Sequence, residues 1–187
     1  GDTRVVVRTY PAAGNDSSFP ELCRALSRVD HPGVARVLDH GIADGIPYLV
    51  REFAGGQTLH QRLAIAGPRG LSDDEVLDLR PPLAEAVLAL LAQDGPHGAL
   101  NTHTVVLGDR PVLACLDSAP LGNGGHGTTL RALGEITRAL RSGVSAGLRV
   151  QLNRARANLL SGPEDQLLGA ERLRDLPVHR TEDPTGI

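Results

Sequence analysis

The sequence contains no lysine: all 19 of its basic residues are arginine. It also lacks tryptophan and methionine, and aromatic residues make up only 2% of its 187 positions. A core must therefore be built from leucine, valine and alanine, and the 41% hydrophobic content suffices for one domain or two closely packed lobes. Nucleic-acid binding is not indicated, because the net charge is −3 and no basic cluster alternates with aromatic residues.

Cysteine usage and hydropathy limit the compartment. Cys23 and Cys115 are not at metal-ligand spacing, so we expect two buried thiols in a reducing environment. No apolar run reaches the roughly 18 residues that a membrane span needs, and the N-terminus lacks a signal-peptide pattern. These patterns predict a soluble, cytoplasmic domain. Its apolar start at residues 5–7 favours a piece of a longer protein, and any contact with a membrane would be through that parent protein.

The first third of the chain is predicted to form strands around one helix. Leu22, Leu26 and Val29 recur at helical spacing and should form the buried face of that helix. The predicted elements are a strand at 4–10, a helix at 19–29, and strands at 34–39 and 48–53.

From residue 57 the pattern is mainly helical. A capping signal at Ser72 opens one helix, which Pro81 and Pro82 are expected to interrupt or kink. Residues 177–187 are polar and without periodicity, and they are predicted to form an extended tail. The predicted elements are helices at 57–66, 72–80, 83–92, 130–141, 146–160 and 164–176, and a hairpin of strands at 105–107 and 112–115.

Two stretches carry a resemblance to a known family. Residues 27–39 read SRVDHPGVARVLD and residues 45–53 read GIPYLVREF. In this order the chain resembles the bacterial serine/threonine protein kinases of the eukaryotic-like type. The resemblance implies an α+β, bilobal kinase-like fold, with a truncated β-rich N-lobe at about 1–53 and a reduced helical C-lobe at about 57–176.

The resemblance also assigns the family's catalytic positions. Arg8 matches the phosphate-binding lysine, Arg51 matches the gatekeeper beside the adenine pocket, and Leu22 matches the glutamate of helix C unless the register slips onto Glu21. The loop HGALNTHT at 97–104 matches the catalytic loop, and DSA at 117–119 matches the Asp-Phe-Gly motif. The degenerate positions are thus Arg8, Leu22, Ala99 for the aspartate, Asn101 for the lysine and Thr104 for the asparagine, while Asp117 is retained.

Phosphoryl transfer depends on positioning and on charge neutralisation by a lysine and metal ions, so these changes remove several contributions together. We therefore expect a pseudokinase that is not an enzyme and has no cofactor and no metal. Two alternatives remain open, a nucleotide-binding sensor and a weakly active atypical serine/threonine kinase.

Within the family the arrangement resembles the intracellular pseudokinase regions of MviN-type actinobacterial membrane proteins, which are implicated in moving peptidoglycan precursors. That likeness implies phosphorylation on a threonine by a PknB-type kinase, followed by binding of an FhaA-like forkhead-associated protein. The tail offers two acceptors, Thr181 and Thr185, of which we prefer Thr181 because six residues follow it. The candidate binding residues are Thr181, Thr185, Arg180, Glu182 and Asp183.

Overall fold

The computed structural model describes residues 4–10, 18–93, 100–114, 126–140, 144–160 and 170–175. In these ranges a β-rich part is followed by a mainly helical part, as the sequence predicts. The elements are β1 (Val5–Thr9), α1 (Ser18–Ser27), β2 (Val37–Ala43), β3 (Ile46–Glu52), β4 (Gln57–Thr58), α2 (Leu59–Ala66), a 3₁₀ turn (Gly67–Arg69), α3 (Asp73–Leu91), β5 (Val105–Leu107), β6 (Pro111–Leu113), α4 (His126–Leu140) and α5 (Ala146–Leu159).

The first sheet is antiparallel with the strand order β1-β3-β2. Val5 is opposite Glu52 and Thr9 is opposite Tyr48, and a bulge between Val37 and Asp39 shifts the register of β2. β2 begins three residues later than predicted, because Val34 instead forms an isolated bridge to β6. The side chains of β3 alternate between buried and half-buried positions, so one face of this sheet is directed towards the core.

The predicted core face of α1 is confirmed. Leu22 and Leu26 are buried, and Phe19 extends the same cluster by one turn. Val29 is buried as well, but it lies beyond α1, which ends at Ser27, two residues short of the predicted helix end. Cys23 is fully buried in the same cluster, and this burial raises the pKa of its thiol to about 11. Cys23 therefore behaves as a small apolar core residue, as expected, whereas Cys115 lies outside the described residues.

The two parts of the fold are joined where residues 31–35 meet α3 and β6. The His31 imidazole accepts a hydrogen bond from the Gly33 amide at 3.0 Å, which fixes this turn. Gly33 packs directly on α3, and a Cβ added to it would lie 2.9 Å from the Ala86 methyl. The Leu113 amide then donates to the Gly33 carbonyl at 2.7 Å, so backbone pairing with β6 completes the junction.

The second sheet has the strand order β4-β5-β6 and lies at the connection between the two parts. Gly56 precedes β4 with φ of 129°, a value that favours glycine. A Cβ at this position would lie 2.2 Å from the Leu107 carbonyl oxygen. The close approach of β4 to β5 therefore requires glycine at residue 56.

α3 is the central helix of the second part. Ser72 caps it by accepting from the Glu75 amide, and the Glu75 carboxylate accepts from the Ser72 amide, so the predicted capping box is confirmed. The predicted interruption at Pro81 and Pro82 is wrong, because the helix is continuous through both. Each proline removes one backbone donor, but buried side chains on both sides of the pair hold the helix in place. The buried residues of α3 are Val76, Leu77, Arg80, Leu83, Ala84, Ala86, Val87, Leu90 and Leu91.

Arg80 is a buried cation within this helix, with no exposed surface. Its guanidinium Nη1 donates to the Leu173 carbonyl oxygen at 2.7 Å, and burial lowers the pKa of the group. Leu173 belongs to a short helical turn at 170–174, which is the described part of the helix predicted at 164–176. A side chain that sequence analysis had placed on an ordinary helix therefore links α3 to the last described segment.

α4 packs beside α3, α5 packs on α4, and each of the two helices buries one face. α4 begins four residues before the predicted start, and α5 lies within one residue of its prediction. Gly134 of α4 lies against Leu159 and Leu160 at the far end of α5, which brings the two helices close together. Their buried residues in the core are Leu130, Leu133, Ile136, Leu140, Leu148, Leu152, Ala155 and Leu159.

Leu26→Ala should lower the free energy of unfolding by roughly 2–5 kcal/mol, because it removes a buried leucine side chain and leaves a cavity. Ile42→Ala, at a position that is 62% exposed, is the matched control and should change stability by less than about 0.5 kcal/mol. Urea denaturation measures both. Equal losses in the two variants would contradict the assignment of Leu26 to the core.

Glu75→Gln should lower the melting temperature at pH 7, because it removes the charge that pairs with Arg62 and lies at the N-terminus of α3. Hydrogen bonds from Ser72 and Arg62 depress the pKa of Glu75, so its carboxylate stabilises the fold above the unfolded pKa of about 4.3. This contribution is lost as the pH falls through the folded pKa, and the two proteins should converge there. Asp78→Asn, on the exposed side of α3, is the control; a Glu75→Gln deficit that stays constant down to about pH 3 contradicts the assignment.

Candidate functional site

Arg8 lies on the inner face of the first sheet. It is opposite Leu49 of β3, which is 1% exposed, so the two side chains share the face directed towards the core. The Arg8 guanidinium carbon is 5.5 Å from the centre of the Tyr10 ring, and that ring packs on Phe19 with centroids 5.0 Å apart. The position of the family's lysine therefore holds a planar cation beside an aromatic pair, and not a compact ammonium.

The helix that should supply a glutamate presents leucine instead. Leu22 is buried in the core cluster, whereas Glu21 is exposed on another side of α1. Of the two registers left open by the sequence, the inward position is therefore that of Leu22. The inward residue therefore has no carboxylate, and the Glu21 carboxylate is exposed to solvent.

Arg51, which the resemblance matches to the gatekeeper, is 6% exposed. It pairs with Val6 of β1. Its side chain lies on the same face of the sheet as that of Leu49, two residues away on β3, and is diagonal to Arg8 on the neighbouring strand. Two guanidinium groups therefore originate from one face of the sheet. Because Arg51 is buried, a charged side chain lies in the interior on this side of the sheet.

Asn101 and Thr104 form a closed turn. The Thr104 hydroxyl donates to the Asn101 carbonyl at 3.0 Å and accepts from the Asn101 amide at 2.9 Å. The Asn101 side-chain oxygen accepts from the His103 amide at 2.8 Å, and the Thr104 carbonyl accepts from the Ala114 amide at 2.8 Å. Thr104 is 4% exposed, so at the family's metal-binding position the hydroxyl serves the backbone of its own loop.

The remaining predicted positions are outside the described residues. They are Ala99, Asp117 and the candidate residues of the tail. The structure thus brings Arg8 and Arg51 to one sheet face and places the turn 101–104 beside β5 and β6. The tail positions outside the described residues are Arg180, Thr181, Glu182, Asp183 and Thr185.

A histidine pair lies beside this turn and was missed by sequence analysis. His60 of α2 stacks on His103 with ring centroids 3.9 Å apart and an interplanar angle of 22°. The His60 amide also donates to the Thr102 carbonyl at 2.8 Å, which joins α2 to the turn. The two histidines are 43 positions apart, so no spacing rule could have paired them. Within the described ranges no group of three or more His, Cys, Asp or Glu side chains could hold a metal ion.

Curated proteins that match about half of the chain include two bacterial kinases. One is the serine/threonine-protein kinase PrkC of Bacillus subtilis, 27% identical over 97 residues, which are 50% of this chain and 15% of the relative. The other is the serine/threonine-protein kinase pkn2 of Myxococcus xanthus, 31% identical over 98 residues, which are 52% of this chain and 11% of the relative. The chain thus corresponds to a small fraction of each relative's length. No protein-family model matches it.

Solved structures match over nearly the whole chain. The PknI kinase domain of Mycobacterium tuberculosis superposes with a TM-score of 0.72 at 20% identity, covering 90% of this chain and 83% of that domain. A cysteine-to-alanine mutant of the same domain gives a TM-score of 0.74 at 20% identity, with 92% and 84% covered. The structure named PpkA-294 apo form gives 0.64 at 22% identity, with 87% and 75% covered. At these identities the likeness establishes the fold.

These comparisons correct one expectation. The replaced catalytic positions predict a protein that is not an enzyme, but the proteins to which the chain is homologous are named serine/threonine protein kinases. The prediction that it is not an enzyme is therefore wrong. It relied on single residues matched to a motif, and it gave too little weight to the fold and sequence that surround them.

In the described part of the chain, no helix is both long and apolar enough to cross a membrane. The α+β, kinase-like architecture predicted from the sequence is confirmed by the superpositions. The chain therefore has a protein kinase-like fold and, over about half its length, is homologous to bacterial serine/threonine protein kinases.

Proposed function

We propose that this chain is an atypical serine/threonine kinase domain that binds nucleotide weakly and transfers phosphate slowly. The observation that carries the proposal is Arg8, a cation held on the inner face of β1 at the position of the family's lysine. Homology to proteins named serine/threonine protein kinases supports the same reading. Arginine keeps the positive charge that phosphates require, and its fork can bind two phosphate oxygens.

The neighbouring residues explain why the activity should be low. Thr104 uses its hydroxyl within its own turn, Asn101 adds no positive charge, and Arg51 fills space on the adenine side. A general base typically contributes about 10²–10⁴ in rate, and the sequence has Ala99 at that position. Slow transfer that depends on Arg8 is the behaviour expected from this combination.

Arg8→Met should abolish nucleotide binding, because it removes the cation and keeps an unbranched side chain at the same position. ATP with magnesium at about 100 times Kd should stabilise the unaltered domain by about 2.7 kcal/mol, and a thermal-shift titration measures this. Arg8→Lys should retain the response. Arg24→Met, which removes an exposed arginine from α1, is the charge-matched control and should behave like the unaltered protein.

Transfer of labelled phosphate from ATP to a generic acceptor protein tests the catalytic half of the proposal. A slow signal that disappears in Arg8→Met but persists in Arg24→Met is expected. The proposal is overturned if the unaltered domain neither responds to ATP nor transfers label, or if Arg8→Met retains both properties.

A second function is favoured by the sequence of the tail. Thr181 is flanked by Arg180, Glu182 and Asp183 in a segment with too little apolar content to fold alone. We propose that a PknB-type kinase phosphorylates this threonine and that an FhaA-like forkhead-associated domain then binds it. Phosphorylation adds about −1.5 to −2 charges and three strong acceptor oxygens, which an arginine-lined pocket can hold.

The likeness to MviN-type membrane proteins implies where in the cell this binding would take place. We propose that the chain is the cytoplasmic part of a membrane protein and that the phosphorylated tail recruits a regulator of peptidoglycan precursor export. The kinase-like body would then orient the tail and offer a further surface to the recruited protein.

Thr181→Ala should abolish phosphorylation-dependent capture of the forkhead-associated domain, because it removes the phosphate acceptor. The melting temperature should be nearly unchanged. Thr185→Ala is the matched control and should still be captured after treatment with the kinase. Capture is measured by pull-down of the phosphorylated and unphosphorylated chain. If Thr185→Ala loses capture and Thr181→Ala keeps it, the choice of threonine is wrong; capture by the double variant contradicts docking through the tail.

A further inference from the structure

α4 and α5 each carry two arginines that are seven residues apart. Arg131 and Arg138 lie on α4, and Arg149 and Arg156 lie on α5, which also carries the exposed Arg154 on another side. Seven residues correspond to about two helical turns, so each pair lies in a row along one side of its helix with about 10.5 Å between members. The helical repeat therefore arranges the four side chains as two short basic rows.

Glu135 shows that the two rows meet. Its carboxylate accepts from Arg138 Nε at 2.7 Å on its own helix and from an Arg156 guanidinium nitrogen at 3.2 Å on the neighbouring helix. The hydrogen bonds from Arg138 and Arg156 lower the pKa of Glu135, so this carboxylate is charged at neutral pH. We call the four arginines and Glu135 the basic seam.

The charges along the basic seam do not balance. Glu135 is the acidic residue of α4, and α5 contains no acidic residue. Among the described residues, neither Arg131 nor Arg149 takes part in an ion pair, and the Arg149 guanidinium instead donates to the Val144 carbonyl at 3.0 Å. The Asp73 carboxylate lies at the N-terminus of α5, where it accepts from the Ser145 amide at 2.7 Å and offsets the partial positive charge of that helix end. The four arginines still outnumber Glu135 and Asp73, so a net positive strip lies on a chain whose net charge is −3.

We propose that the basic seam binds an acidic segment of a partner protein. Each arginine fork matches the geometry of a carboxylate, and the spacing within a row suits acidic residues about seven apart on a helix. Val150 is 59% exposed on α5 and gives the partner an apolar contact beside the charges. Binding of this kind depends on charge complementarity, which sets partner choice and association rate.

The arrangement favours a protein over the other polyanions. Glu135 lies between the rows and would repel the closely spaced phosphates of a nucleic acid, whereas separate carboxylates can bind on either side of it. A membrane surface is less suited, because the exposed side chains of α5 include no aromatic residue to anchor in the interface.

The test measures binding of a fluorescein-labelled helical peptide with glutamates at seven-residue spacing, and of the same peptide with glutamines in their place. Fluorescence anisotropy with the full chain should show binding of the glutamate peptide at least about tenfold tighter than the glutamine peptide, weakening as salt rises. The double variant Arg131→Glu/Arg149→Glu should bind the glutamate peptide at least about tenfold more weakly than the unaltered chain. Arg24→Glu/Arg28→Glu, in α1 and one residue after it, changes the net charge equally and should stay within about twofold of the unaltered chain.

Because charge reversal could disturb folding, Arg131→Gln/Arg149→Gln provides a milder variant whose binding should also weaken while its melting temperature stays the same. Vesicles containing phosphatidylserine and a short DNA duplex are titrated in parallel. The proposal is overturned if the two peptides bind equally, if the α1 control weakens as much as the basic-seam variant, or if vesicles or DNA bind through the seam and the glutamate peptide does not.

Discussion

The packing of α3 against residues 31–35, β6 and α4 holds the two parts of the molecule together, because this helix buries side chains along almost its whole length. Gly33 allows the β-rich part to approach α3 to within direct contact with Ala86, and the pairing of Gly33 with Leu113 adds a hydrogen bond at the same place. A fold with so few aromatic residues depends on this close approach, since small side chains gain dispersion energy only at short separations. This packing positions the first sheet, the turn 101–104 and the α4–α5 pair relative to one another.

The inner face of the first sheet and the turn 101–104 belong to a kinase-like fold, but their residues differ chemically from those of the kinase motifs. Arg8 and Arg51 place two delocalised cations on one sheet face, and the turn at Asn101 and Thr104 is satisfied by its own hydrogen bonds. A hydroxyl committed to backbone groups is not available to a metal ion, and a guanidinium holds phosphate oxygens differently from an ammonium. Such a site can keep affinity for a phosphate group and lose the geometry that speeds its transfer.

Sequence patterns predicted the elements that depend on local spacing. The leucines of α1 and the capping box of α3 follow from helical periodicity and from backbone amides that need an acceptor, and both were found as predicted. The interruption predicted at Pro81 and Pro82 was wrong. The loss of two backbone hydrogen-bond donors can be seen in the local sequence, whereas the burial that offsets its cost comes from residues distant in sequence. The His60–His103 stack and the burial of Arg80 could not be predicted, since both depend on which elements meet. Among the site residues, the inward direction of Leu22 followed from spacing, but the closure of the Thr104 turn did not.

The hydrogen bond between Arg80 and the Leu173 carbonyl has a mechanical consequence. Leu173 is the last buried leucine that the structure describes before the polar end of the chain, so any partner that pulls on residues beyond it applies force to a carbonyl held by a buried guanidinium. Force applied there passes into the middle of α3 and not into a frayed helix end. Extraction of this segment would expose a cation that has no water access in the folded state, so it should yield as one abrupt step and not by gradual peeling.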